Sequence, residues 1–293
     1  MDIRNILWAS DGSKESRAAL EWAELLAARF GARVTALSVI ETPDFRTLKV
    51  PQDLRRELSV VDAEMERAES RRLKRITAAL AEKGVVAEAC VAKGFPYAEI
   101  LKAAQRNVDL IAMGKRGLNL WGRMLLGSTT MRVVREARVP VLTVKAAAGK
   151  PSLGKIVVPT SFCENDVTAL AWALTVARKF HATVTLLHVI EAHRSYDSVE
   201  GGIMGRLRSA ANQELAALRE RIPRSQRKGI ALVERVIAFP RAWSGIVTFV
   251  GEQGADLIVM STHARAGVSR LVLGSVAEGV VREAPCPVVT VRP

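Results

Sequence analysis

Cysteine is scarce in the 293-residue chain: three residues, Cys90, Cys163 and Cys286, odd in number and widely spaced. That spacing builds neither a disulfide framework nor a cysteine-type zinc site, and it suits reduced thiols in the cytoplasm. Long apolar runs are missing too; no uninterrupted stretch approaches the roughly 20 residues of a membrane span. The opening, MDIRNILWASDGS, carries no signal-peptide pattern. Several chemical signatures are absent. There is no Gly-x4-Gly-Lys-Ser/Thr phosphate loop, no Gly-x-Gly-x2-Gly dinucleotide fingerprint, no Gly-x-Ser-x-Gly nucleophile elbow and no His-Glu-x2-His zinc site. The four histidines, His181, His188, His193 and His263, share no metal-ligand spacing. His188 interrupts the apolar run TVTLLHVI, as a structural histidine with its polar groups satisfied would.

The chain holds 49% hydrophobic and 25% charged residues, an ordinary globular composition. Its length suits two domains of about 145 residues, each large enough to bury roughly 70% of its unfolded surface. The net charge of +13 invites a nucleic-acid reading. However, residues 1–147 carry 25 Lys/Arg against 18 Asp/Glu, and the remainder 18 against 12. The excess is spread rather than gathered in a basic arm, and RAESRRLKR and RERIPRSQRK read as solvated helix faces. Nucleic acid is not the expected partner.

The chain repeats itself. Residues 6–41 match residues 156–191 at an offset of 150, aligning Trp22 with Trp172 and Phe30 with Phe180. Further on the offset is 147: DLIAMGKRGLNLWGRMLLGST faces DLIVMSTHARAGVSRLVLGSV, and VPVLTV faces CPVVTV. KAAAGKPSLGK is the natural linker, which divides the chain into domains 1–147 and 148–293.

Within the first unit, strand and helix signals alternate. Apolar runs at 6–9, 34–40, 85–92, 110–113 and 141–144 read as strands. Helical spacing of Ala18, Ala23, Leu26 and Phe30 ends at Gly31; a charged helix covers 53–82, another opens at Pro96, and a last one covers 128–137. Such alternation predicts an α/β fold, a parallel sheet with helices on both faces. Ligands of such sheets bind beyond the carboxyl ends of the strands, where strand order reverses. If the first strand neighbours the fourth, ASDGS at 9–13 converges there with GKRGLNLWGRMLLGST at 114–129.

That glycine stretch has two readings. Glycines at a strand end free the backbone to approach a ligand through φ > 0. Gly127-Ser128-Thr129-Thr130 opens a helix whose amides and dipole favour an anion, with three hydroxyls to add. Asp11 could then accept from a ribose hydroxyl or help hold a divalent ion. Equally, strand-end glycines and Ser/Thr helix caps are common punctuation, and Asp11 could simply cap its turn.

The pattern Gly114-x2-Gly117-x9-Gly127-Ser128 resembles that of the universal stress proteins, and ASDGSKES is similar to their opening loop. The resemblance covers nearly the whole chain as two tandem copies. It implies two flavodoxin-like, Rossmann-like domains, each a five-stranded parallel sheet of order 3-2-1-4-5. It also implies ATP, with magnesium, at the switch point. Carried over by position, Asp11 lies near the ribose and Val39 near the adenine, with Ala9 and Ser10 also among the nucleotide-binding residues. Met113, Gly114, Gly117, Gly127, Ser128, Thr129 and Thr130 enclose phosphates and sugar. Asp11 is the residue implied for the metal. The family often pairs domains through the last strand, which in a tandem chain becomes an internal VPVLTV–CPVVTV pair and leaves a homodimer of chains open.

The second unit departs from the pattern: Asp11 becomes Ser161, Gly114 becomes Ser261 and Gly117 becomes Ala264, while Gly274 and Ser275 persist. One nucleotide per chain is expected. Because the degraded twin still makes the same turn, Gly114 and Gly117 are expected to serve a ligand rather than the joint. Three functions compete: a nucleotide-dependent binding module taking ATP, ADP or AMP, with little or no hydrolysis; a slow metal-dependent ATP hydrolase using Asp11; and a non-nucleotide binder of a lipid or acidic partner.

Overall fold

The computed structural model describes residues 2–41, 51–115, 127–146, 151–192, 202–262 and 273–292. The first unit runs β1 (Asn5–Ser10), α1 (Lys14–Phe30), β2 (Arg33–Ile40), α2 (Gln52–Glu82), β3 (Ala87–Lys93), α3 (Pro96–Ala104), β4 (Leu110–Gly114), α4 (Ser128–Glu136) and β5 (Val141–Val144). The second runs β6 (Lys155–Pro159), α5 (Asn165–Phe180), β7 (Thr183–Glu191), α6 (Ile203–Glu220), the short α7 (Arg224–Arg227), β8 (Leu232–Phe239), α8 (Ala242–Gln253), β9 (Leu257–Ser261), α9 (Ser275–Glu283) and β10 (Val288–Val291). No described helix is long and apolar enough to cross a membrane.

The described strands join one sheet in the order β3-β2-β1-β4-β5-β10-β9-β6-β7-β8. Pairing is parallel inside each unit, and strand order reverses between β1 and β4 and again between β6 and β9. The central strands are apolar throughout because helices cover both faces: every residue of β4 and β5 is buried. One face packs under α1, α2, α5 and α6 around Trp8, Trp22, Leu73, Trp172 and Leu215. The other packs under α3, α4, α8 and α9 around Ile111, Val133, Ile258 and Val280.

The units meet through their last strands. β5 and β10 pair antiparallel, with Val141 opposite Thr290 and Leu142 opposite Val289. Thr143 Oγ1 donates to the Val288 carbonyl at 3.2 Å, and Thr290 Oγ1 to that of Val141 at 3.4 Å. This join removes two edges from solvent. Beside it, the Lys179 ammonium lies 5.4 Å from the Phe30 ring centroid and the Arg29 guanidinium 5.5 Å from that of Phe180, a reciprocal contact that repeats the sequence repeat.

Candidate functional site

At the first reversal of strand order, Ala9 of β1 sits beside Met113 of β4 and Ser10 beside Ser38 of β2. Ala9, Ser10 and Met113 are buried, Val39 is half-buried and Asp11 is exposed. Asp11 Oδ1 accepts from the Ser13 N–H at 2.9 Å, and Ser13 Oγ accepts from the Ser16 N–H at 3.1 Å, capping α1. Asp11 therefore does shape its turn, while its carboxylate still fronts the solvent side of the mouth. Gly12 between them takes φ 79°, the left-handed conformation that a glycine adopts without strain.

The structure corrects the sequence reading of Gly114. It is not among the glycines with positive φ, and Gly127 has φ −59°. What Gly114 provides is room. A Cβ there would lie 2.8 Å from Glu15 Cβ and 2.9 Å from both the Glu15 carbonyl carbon and the Ser16 nitrogen. The first turn of α1 is drawn onto the strand because the Trp8 indole N–H donates to the Ser16 carbonyl at 2.7 Å. The joint itself demands this glycine.

Thr130 is structural as well. It is buried, and its hydroxyl donates to the Gly114 carbonyl at 2.9 Å, tying α4 to the end of β4. Ser128 is exposed and Thr129 half-buried at the start of α4, where first-turn N–H groups lack intrahelical partners. Gly127 N–H donates to the Lys115 carbonyl at 3.1 Å, closing the base of the glycine stretch. Lys115 is buried, and its ammonium points 3.5 Å from the Ala284 carbonyl, at the carboxyl end of α9 in the other unit. Gly117 and its counterpart Ala264, along with His193 and His263, lie outside the described residues.

A polar chain that the sequence did not reveal runs beneath this mouth. Ser38 Oγ donates to Glu69 Oε2 at 2.8 Å, Arg72 Nη2 pairs with the same oxygen at 2.7 Å, and Arg72 Nη1 donates to Ser10 Oγ at 3.1 Å. Burial by itself would raise the Glu69 carboxyl, but hydrogen bonds from Arg72 and Ser38 outweigh it and hold the group below its ordinary value. The chain thus ties α2 to the ends of β1 and β2. Glu69 and Arg72 are only an i,i+3 pair in sequence, and nothing there links them to a strand 60 residues earlier.

The corresponding mouth of the second unit is built differently. Phe162, at the place of Gly12, takes φ 65° and stacks on His188, ring centroids 4.2 Å apart. His188 Nδ1 is 2.9 Å from the Thr160 carbonyl, so it carries the proton and donates. Asp166 is 1% exposed and stands where the first unit has Ser16. Its carboxylate accepts from Thr160 Oγ1 (2.7 Å), the Ser161 N–H (2.9 Å), the Cys163 N–H (3.2 Å) and Ser261 Oγ (2.7 Å). Val158 replaces Trp8, so no indole draws the helix down, and α5 starts one residue later than α1. The Ser261 side chain fits because Asp166 receives it. The paired changes Ser16 to Asp166 and Gly114 to Ser261 were visible in the repeat; only contact in space gives them a common meaning. Among the described residues no group of three or more His, Cys, Asp or Glu side chains could hold a metal ion.

Comparison with known proteins agrees with this architecture. The model of the universal stress protein family matches residues 2–145 and again residues 153–292. A universal stress protein from Mycolicibacterium smegmatis is 27% identical over 296 residues, covering 98% of this chain and 97% of its own. One from Thermus aquaticus is 38% identical over 149 residues, 49% of this chain and 99% of its own. The crystal structure of a universal stress protein from Archaeoglobus fulgidus superimposes with a TM-score of 0.71 at 25% identity, covering 99% of this chain and 97% of that one. Two matches of one family model, side by side on one continuous sheet, place the chain in the universal stress protein family as a tandem pair of its domains.

Proposed function

We propose that the first unit binds ATP with magnesium at the carboxyl ends of β1 and β4, one nucleotide per chain, and that the protein works as a nucleotide-dependent binding module with little or no hydrolysis. The observation that carries this reading is the convergence of an exposed carboxylate, Asp11, with the open N-terminus of α4 across the reversal of strand order. An anion is favoured at Ser128 and Thr129 by helix amides and dipole. Asp11 is suited to the ribose or to the metal ion; half-buried Val39 supplies apolar surface for the base, and buried Ala9 and Met113 line the strand ends beneath the sugar. A bound magnesium would offset phosphate charge. Lys115, whose ammonium lies 3.5 Å from the Ala284 carbonyl, links the two units. The polar chain through Arg72 holds Ser10, and with it the loop that carries Asp11.

The second unit is read as a structural partner. Its Phe162–His188 stack and the Asp166 network fill the mouth with the chain's own side chains, and Ser161 stands where the first unit has the exposed Asp11. Isothermal titration of ligand-stripped full-length protein with ATP–magnesium tests this. One site per chain, weakened in Asp11→Ala but not in Ser161→Ala, is expected. A stoichiometry of two, or no heat and no thermal shift at millimolar nucleotide, overturns it.

A further inference from the structure

The helix α2 is 31 residues long, about 46 Å at 1.5 Å per residue. Its second half buries Leu73 and Leu80, whereas no described side chain among residues 52–68 is buried and Glu66 meets β3 only through an ion pair with Lys93 at the surface. The projecting half nevertheless carries apolar residues at spacings of four, three and four: Leu54, Leu58, Val61 and Met65. That is the seam of a coiled coil. Leu54, Val61 and Met65 are 43%, 51% and 47% exposed. A free helical segment of this length is marginal in water and gains most of its stability by packing an apolar face.

The second unit repeats the device. Ile203 and Leu207 of α6 precede buried Leu215 by the same intervals as Val61 and Met65 precede Leu73, and they are 42% and 45% exposed. The charge beside the seam is reversed, however. Glu64 in α2 has Arg206 at its place in α6, and both are exposed. The two helices stand at opposite ends of the sheet, α2 against β2 and β3 and α6 against β7 and β8, so they cannot meet within one chain.

We infer that the chain self-associates by laying the projecting half of α2 antiparallel on α6 of a second copy. Placing Val61 opposite Leu207 and Met65 opposite Ile203 of that copy brings Glu64 beside its Arg206. The like pairings are disfavoured: α2 on α2 sets Glu57 against Glu64, and α6 on α6 crowds the Arg206 side chains. A contact this small makes a weak, reversible assembly. It does not depend on the nucleotide reading.

The test is sedimentation equilibrium of the full-length chain without nucleotide, up to about 0.3 mM, the regime of a weak interface. Wild type is expected to associate reversibly. Met65→Glu and Leu207→Glu each weaken association by about tenfold or more. Glu64→Arg and Arg206→Glu each weaken it about threefold or more alone, and their equimolar mixture returns to near the wild-type constant. All four positions are exposed, and recovery in the mixture itself shows that the swapped chains are folded. A wild type that stays monomeric over the whole range, seam variants that associate as wild type does, or a mixture no tighter than either swap alone overturns the inference.

Discussion

Substituting Gly114 by alanine separates the two roles a strand-end glycine can have. The added Cβ would meet three atoms of α1 at 2.8–2.9 Å, where carbon contacts settle at about 3.5–4.0 Å. Two of those atoms are backbone, so no rotamer change relieves the clash; the first turn of α1 must move. Its movement is resisted by the Trp8 indole bond to Ser16 and by the Ser13 cap. Overpacking of this kind costs about 1–3 kcal/mol, and the lower unfolded-chain entropy of alanine returns roughly 0.4–1 kcal/mol. Ligand-free Gly114→Ala should therefore lose between about 0 and 2.6 kcal/mol, centred near about 1.3 kcal/mol or roughly 3–5 °C in midpoint for a unit of this size. Urea unfolding followed by circular dichroism measures it, with the midpoint shifting at unchanged slope. A ligand-free variant more stable than wild type would show that the added Cβ meets no resistance and would refute the packing argument.

In the second unit, Asp166→Ala should be more damaging, by about 3 kcal/mol, because it removes a buried carboxylate that holds a buried donor from Thr160 and part-buried donors from Ser261 and two backbone amides; Asp166→Asn, which keeps the shape, should lose less. Equal losses in urea unfolding would contradict the hub role. His181 ends α5 at φ 55°, where α1 has Gly31 at φ 68°, so His181→Gly should gain roughly 0.5–1 kcal/mol by removing left-handed strain; a lowered melting midpoint refutes this. Burial pushes the Cys286 thiol up to about 12, while Cys90 is exposed. With iodoacetamide at about pH 8, mass spectrometry should find Cys90 modified first and Cys286 only after denaturation, since the thiolate is the reactive form; Cys286 reacting as fast as Cys90 would refute its burial.

Much of the architecture was written locally. Short apolar runs divided by charged helical spacing define buried parallel strands and their crossovers, and a unit written twice defines two five-stranded halves of the same plan. Right-handed crossovers leave few ways to order five such strands, so the meeting of the 9–13 loop with the end of β4 could be anticipated. The antiparallel join of VLTV to VVTV follows from two apolar last strands that would otherwise be edges.

What tertiary structure decided are pairs whose meaning depends on distance in space. Gly114 is a glycine because α1, almost 100 residues earlier, lies against it. Thr130 spends its hydroxyl on Gly114, Lys115 sends its charge across the unit boundary to Ala284, and Arg72 reaches back 62 residues to Ser10. A periodic pattern records only which face of an element is buried, because burial averages over all neighbours. A hydrogen bond or a Cβ clash depends on one neighbour at one distance, and that is set only when the helices settle on the sheet.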